Sequence, residues 1–96
     1  MKRKDTAHIN EVVKAYLKAL GVEDKIKETH AINSWESLVG KMVAKSTKRI
    51  EIYKGIMYVH INSSIVRNEL MMIRNELLKR INENAGSELI KEIVLR

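Results

Sequence analysis

The chain has 96 residues, 45% of them hydrophobic and 31% charged, and it contains neither cysteine nor proline. That length supports one domain with one modest core. The missing cysteines exclude a disulfide scaffold and a thiolate metal site, and they fit a reducing cytoplasm, where the protein is expected. Eighteen basic residues against twelve acidic ones leave a net charge of +6, which favours anionic partners, nucleic acid foremost. No apolar run approaches the ~20 residues of a membrane span, so a membrane is not an expected partner.

Residues 1–5, with Lys2, Arg3 and Lys4, are expected to be a frayed basic terminus, and residues 6–96 a single domain. From Thr6 to Leu20 the apolar positions Ile9, Val12, Val13, Tyr16, Leu17 and Leu20 form the stripe of an amphipathic helix. Asp5 or Thr6 can cap it and Gly21 can end it. Glu23 to Ser46 reads as one bent helix or two in tandem, with Asn33-Ser34 as the weak point. Trp35, Leu38, Val39, Met42 and Val43 share its apolar side, and Trp35 reads as a packing residue rather than a base-stacking one. Gly40 inside this stretch costs about 1 kcal/mol against alanine and is expected to mark close approach of another backbone.

Lys41, Lys45, Lys48 and Arg49 then come close together, spanning the last helical turns and the first strand. Lys41 and Lys45 lie one helical turn apart near the negative end of a helix dipole, so they can serve as charge compensation. Equally, all four can form a basic ridge for phosphates at a helix-to-strand corner; both readings stand.

Next comes a β-hairpin, folded at a two-residue Lys54-Gly55 turn that needs φ > 0. It sets Tyr53 opposite Ile56, Ile52 opposite Met57, Glu51 opposite Tyr58 and Ile50 opposite Val59. Ile50, Ile52, Met57, Val59 and Ile61 then share one face. Glu51, Tyr53, Tyr58, His60 and Asn62 share the other, and a slip of one residue would scramble both. Tyr58 and His60 on the outer face are candidates for stacking bases, though a Tyr53–Tyr58 diagonal pair also suits hairpin stability. Ser63-Ser64 can cap a long helix over Ile65–Asn82, whose seam runs Val66, Leu70, Ile73, Leu77 and Ile81. Met71-Met72 reads as flexible core filling, or with one of the two exposed as an adaptable contact. Ile90–Leu95 is a last strand. The order α-α-β-β-α-β makes an α+β domain, a three-stranded sheet covered on one face by helices.

No catalytic constellation emerges. His8, His30 and His60 are scattered without the HExxH spacing, Ser63 and Ser64 lack a nucleophile-elbow context, and the four glycines form no phosphate loop. The expectation is a protein that is not an enzyme and takes no cofactor or metal.

Trp35 before Leu38-Val39-Gly40, then Val43-Ala44-Lys45-Ser46-Thr47, Gly55-Ile56-Met57-Tyr58-Val59, Asn62-Ser63-Ser64, Glu69-Leu70 and Arg80-Ile81-Asn82 form an ordered set. It resembles the W-x-x-I-V-G, I-A-x-H-T, G-x-L-x-V, S-S-x-W-x-x-E-L and R-L-N pattern of the DciA family of bacterial replicative-helicase loaders, over about residues 6–96. Two departures are that Ile65-Val66-Arg67 stands where an aromatic often follows the serine pair, and that Lys48 replaces a frequent proline. The extension beyond this domain that many members carry, implicated in engaging the helicase, is expected to be absent. The resemblance implies a KH-like domain that binds a DnaB-type replicative helicase and nucleic acid, DNA in preference to RNA. The G-x-x-G loop of RNA-binding KH domains is missing. Two alternatives stay open: an RNA-binding KH-like domain in ribosome or tRNA metabolism, and a protein-interaction or oligomerisation module working through an exposed strand edge.

Overall fold

The computed structural model describes residues 11–16 and 18–96. The basic terminus, the expected helix start at Asp5 or Thr6, His8, Ile9 and Leu17 lie outside the described residues. Residues 11–16 and 18–19 are helical (α1). Val12, Val13, Tyr16 and Leu20, the apolar stripe of that helix, face solvent rather than the core. Three helices follow where one bent helix or a tandem pair was expected: α2 (Val22–Asn33), α3 (Trp35–Val39) and α4 (Lys41–Ser46). The first break comes at Ser34, whose hydroxyl donates to the His30 carbonyl at 2.8 Å. This local bond competes with continuation of the helix.

The second break is Gly40, and here the expected close approach of another backbone is corrected. A side chain built at Gly40 would meet nothing within 4 Å, but its φ of 91° with ψ of 165° is open chiefly to glycine. The residue ends one helix and starts the next without bringing two backbones together.

Strands β1 (Thr47–Tyr53) and β2 (Ile56–Ile61) pair antiparallel in the expected register, with Tyr53 opposite Ile56 and Ile50 opposite Val59. Both turn residues, Lys54 at φ 51° and Gly55 at φ 79°, are left-handed, the geometry that matches the twist of a two-residue hairpin. Next come α5 (Ser64–Met72), α6 (Arg74–Ala85) and β3 (Glu92–Leu95). Strand β3 runs parallel to β2, so β2 is the central strand. Its inward residues Met57 and Val59 are fully buried, and burial of each side chain contributes about 1.5–3 kcal/mol. Trp35, Ile61, Leu70, Leu77, Ile81, Ile90 and Ile93 complete the buried core around them. The α+β class and the three-stranded sheet with helices packed on one side are as expected.

The single long helix over Ile65–Asn82 is corrected to two. At Ile73 (φ −112°, ψ 14°) the amide bonds the Leu70 carbonyl at 3.2 Å, three residues back, instead of continuing the α-ladder. The break swings Ile73 out to solvent while Leu70 and Leu77 both reach the sheet. Met71 and Met72 are also exposed, so they do not fill the core. Ser63 caps α5 as expected, its hydroxyl accepting from the Val66 amide at 3.3 Å. Arg67 donates to the Ile61 carbonyl at 3.0 Å and so ties α5 to the end of β2.

Strand β3 starts two residues later than expected because a side chain has already claimed Ile90. The Asn82 amide donates to the Ile90 carbonyl and accepts from its N–H, both at 2.9 Å, which mimics a backbone pair. Ile90 is 1% exposed, so nothing else can serve its peptide group. Asn82→Ala should therefore destabilise the domain by about 1–3 kcal/mol, the usual cost of an orphaned buried amide. Urea unfolding at unchanged m-value checks this; an effect below ~0.5 kcal/mol would mean that the tie is not structural.

Candidate nucleic-acid interface

The alternation that turns Ile50 and Ile52 inward would also turn residue 48 inward, burying a lysine. A β-bulge prevents this. Thr47 pairs with Ile61 and Arg49 with His60, leaving Lys48 as the extra, exposed residue. The parity change brings Thr47 to the inner side instead. There its hydroxyl accepts from the Trp35 indole N–H at 2.9 Å and donates to the Val43 carbonyl at 2.9 Å. Trp35 is 4% exposed, so its N–H has to find a partner inside the fold, and Thr47 is that partner. The Asn62 backbone N–H donates to the Ser46 carbonyl at 2.9 Å, and so the same corner is also held from the residue after β2.

The predicted basic residues fall into two adjoining groups about this corner. Lys41 and Lys45 are exposed on α4 and Lys48 is exposed on the bulge; none forms an ion pair with any described residue. Arg49, Tyr58 and His60 belong to the outer face of the sheet and are gathered around Glu51. The Arg49 Nε and the His60 Nε2 lie 3.0 Å and 3.2 Å from the same Glu51 oxygen, Oε1. Glu51 stands directly opposite Tyr58. One of the four expected phosphate-binding cations is thus already engaged by a carboxylate, although the pair is more than half exposed and worth little to stability.

Two further residues of this face escape a reading of the sequence. The Arg96 guanidinium lies over the Tyr58 ring, 4.8 Å from its centroid, and the Lys54 amine lies 5.3 Å from the centroid of Tyr53. These contacts take the place of the expected tyrosine pair as the partners of both rings. The next-to-Gly position of Lys54 points to a turn, not a contact, and Arg96 reaches Tyr58 only because β3 pairs with β2. Tyr53, Tyr58, His60, Glu51 and Arg96 line an open concavity of about 960 Å³. Among the described residues, no group of three or more His, Cys, Asp or Glu is placed to hold a metal, and no helix is long and apolar enough to cross a membrane.

The family model described as "Dna[CI] antecedent, DciA" matches residues 8–95. The chain belongs to the DciA family. Among curated proteins, none matches it. DciA proteins are helicase-loader adaptors of bacterial DNA replication, and membership points to that role. Within this DciA-family chain, several of the residues that carry the family pattern hold the frame. Trp35 and Thr47 lock the corner, Ser63 caps α5, and Asn82 ties α6 to the segment before β3.

Thr47→Val keeps the shape of the side chain and removes both hydrogen bonds. It should cost about 1–3 kcal/mol, because the Trp35 N–H is left buried and unpaired. Urea denaturation followed by tryptophan fluorescence measures it directly; a variant as stable as the parent would show that the corner does not depend on the hydroxyl.

Proposed function

We propose that this chain is a non-enzymatic, cytoplasmic adaptor that places a DnaB-type replicative helicase on DNA, and that it holds the nucleic acid at the corner between α4 and β1. The observation that carries the reading is the acid-free run from Lys41 to Arg49, with Lys41, Lys45 and Lys48 exposed and unpaired with any described residue. In this reading these three lysines and Arg49 meet phosphates, while Tyr58 and His60 lie beside them on the outer face and meet bases. Family membership supports the helicase as partner. The replacement of the family's frequent proline by Lys48 adds a cation where the bulge already exposes the chain.

A protein-interaction role through the sheet edges has less support. The β1 edge is blunted by a bulge bearing a lysine, and β3 spans only Glu92–Leu95, both devices that discourage strand addition.

Binding of fluorescent single-stranded DNA should weaken with salt along a log–log slope near −2 to −3, given about −0.7 per phosphate for three or four contacts. Lys45→Glu with Lys48→Glu should flatten that slope by about 1.4 and weaken all sequences alike. Stability should stay within about 0.5 kcal/mol, since neither lysine has an ion-pair partner. A flat salt dependence in the parent protein would sink the phosphate ridge. Retention of the DnaB-type helicase on this chain in a pull-down tests the adaptor half, and stronger competition by RNA than by DNA would favour the RNA-binding alternative.

A further inference from the structure

We propose that the outer face of the sheet is a base-reading site, in which Glu51 accepts a hydrogen bond from the exocyclic amine of an unpaired base stacked over the Tyr58–Arg96 pair. The inference rests on the nucleic-acid reading above and adds to it a preference among bases. An arginine plane lying on an aromatic ring exposes its own outer surface, and unstacked bases are known to settle on both kinds of plane. Arg96 over Tyr58 is such a platform, with the guanidinium rather than the bare ring as the stacking surface.

The second element is the orientation of Glu51. Arg49 and His60 both approach Oε1, and no described residue hydrogen-bonds Oε2. The carboxylate is therefore held from two sides with one acceptor atom to spare, and it is 58% exposed. Directly opposed residues of an antiparallel pair have Cβ atoms about 5 Å apart, a gap that a single pyrimidine over Tyr58 bridges. A free carboxylate oxygen accepts from the amine of cytosine or adenine, whereas uracil and thymine offer a carbonyl there and meet two acceptors face to face. The same negative charge disfavours a phosphate at this spot, which leaves the backbone to the lysines of α4 and the bulge. On this assignment Arg49 and His60, besides the contacts proposed for them above, hold Glu51 in place and so act as positioning residues through it.

The test compares short homo-oligomers of deoxycytidine and deoxyuridine of equal length, which differ at the pairing edge but hardly in stacking area. Anisotropy at one salt concentration and near-neutral pH should show the cytidine strand bound about tenfold more tightly, the scale of one charge-assisted hydrogen bond. Glu51→Ala should bring the ratio close to one, the cytidine strand losing its hydrogen bond while the uridine strand binds at least as tightly as before, because a negative charge has left the face. His60→Leu should shrink the ratio, and His60→Gln, which keeps a donor toward the carboxylate, should restore it. Equal binding of the two strands by the parent protein, or a ratio that Glu51→Ala leaves unchanged, overturns the base-reading site and leaves the phosphate ridge standing. A ratio indifferent to His60→Leu overturns the positioning role. Failure of the parent to bind either strand at low salt removes this inference together with the reading beneath it.

Discussion

The surface of this domain depends on one hydrogen-bonded relay, from the Trp35 indole to the Thr47 hydroxyl to the Val43 carbonyl. A buried indole N–H without a partner would cost more than most single contacts in the fold contribute. The threonine can supply that partner only if the strand changes parity before Arg49, and the bulge is what changes it. Buried tryptophan and exposed Lys48 are therefore two sides of one constraint. The core demands an inward hydroxyl at 47, and the sheet responds by presenting a cation at 48. The geometry of the basic corner follows from a packing requirement.

This arrangement separates two kinds of charge. The lysines of α4 and the bulge have no acidic neighbour in sequence between Glu36 and Glu51, and no ion-pair partner among the described residues. Arg49, Arg96 and Lys54 each face a group on the same sheet surface: a carboxylate, a tyrosine ring and a tyrosine ring, respectively. The first group is a diffuse positive field suited to a backbone of phosphates, where position matters little and ionic strength matters much. The second is a set of oriented planes and acceptors, in which position matters and net charge hardly does. Proteins that bind single strands commonly combine these two kinds of surface.

How much of this could be read from the sequence depends on the range of the interaction concerned. The hairpin register was legible because a period of two and a Lys54-Gly55 turn constrain it jointly, and any slip would expose Met57 and Val59. The placement of Glu51 and His60 on the outer face came with that register. The bulge was not legible, since nothing about Lys48 itself marks an extra residue; only the hydrogen-bonding need of Trp35, twelve positions before Thr47, requires one. The break at Ile73 was hidden for a similar reason, because the apolar seam runs through it without interruption. Its spacing records which residues are apolar, not how far a straight helix can follow a twisted sheet. Asn82 stood out through its motif, yet its role as a stand-in for a backbone pair becomes visible only when Ile90 is found beside it. Arg96, the partner of Tyr58, is supplied by a strand that pairs parallel to β2 from across the chain, a contact that no local pattern encodes.

The tolerance of position 48 follows from the same bulge. The extra residue of a bulge makes no ladder hydrogen bond, so a proline there forfeits nothing that the sheet needs, and bulges are among the few sheet positions where proline is tolerated. Lysine is accommodated for a complementary reason: the residue is exposed, so its charge stays in water. The fold is therefore nearly indifferent to which of the two stands at 48, while the corner gains or loses a full positive charge. Such a position is structurally neutral, and it lets the charge of the corner change without disturbing the Trp35–Thr47 relay one residue away.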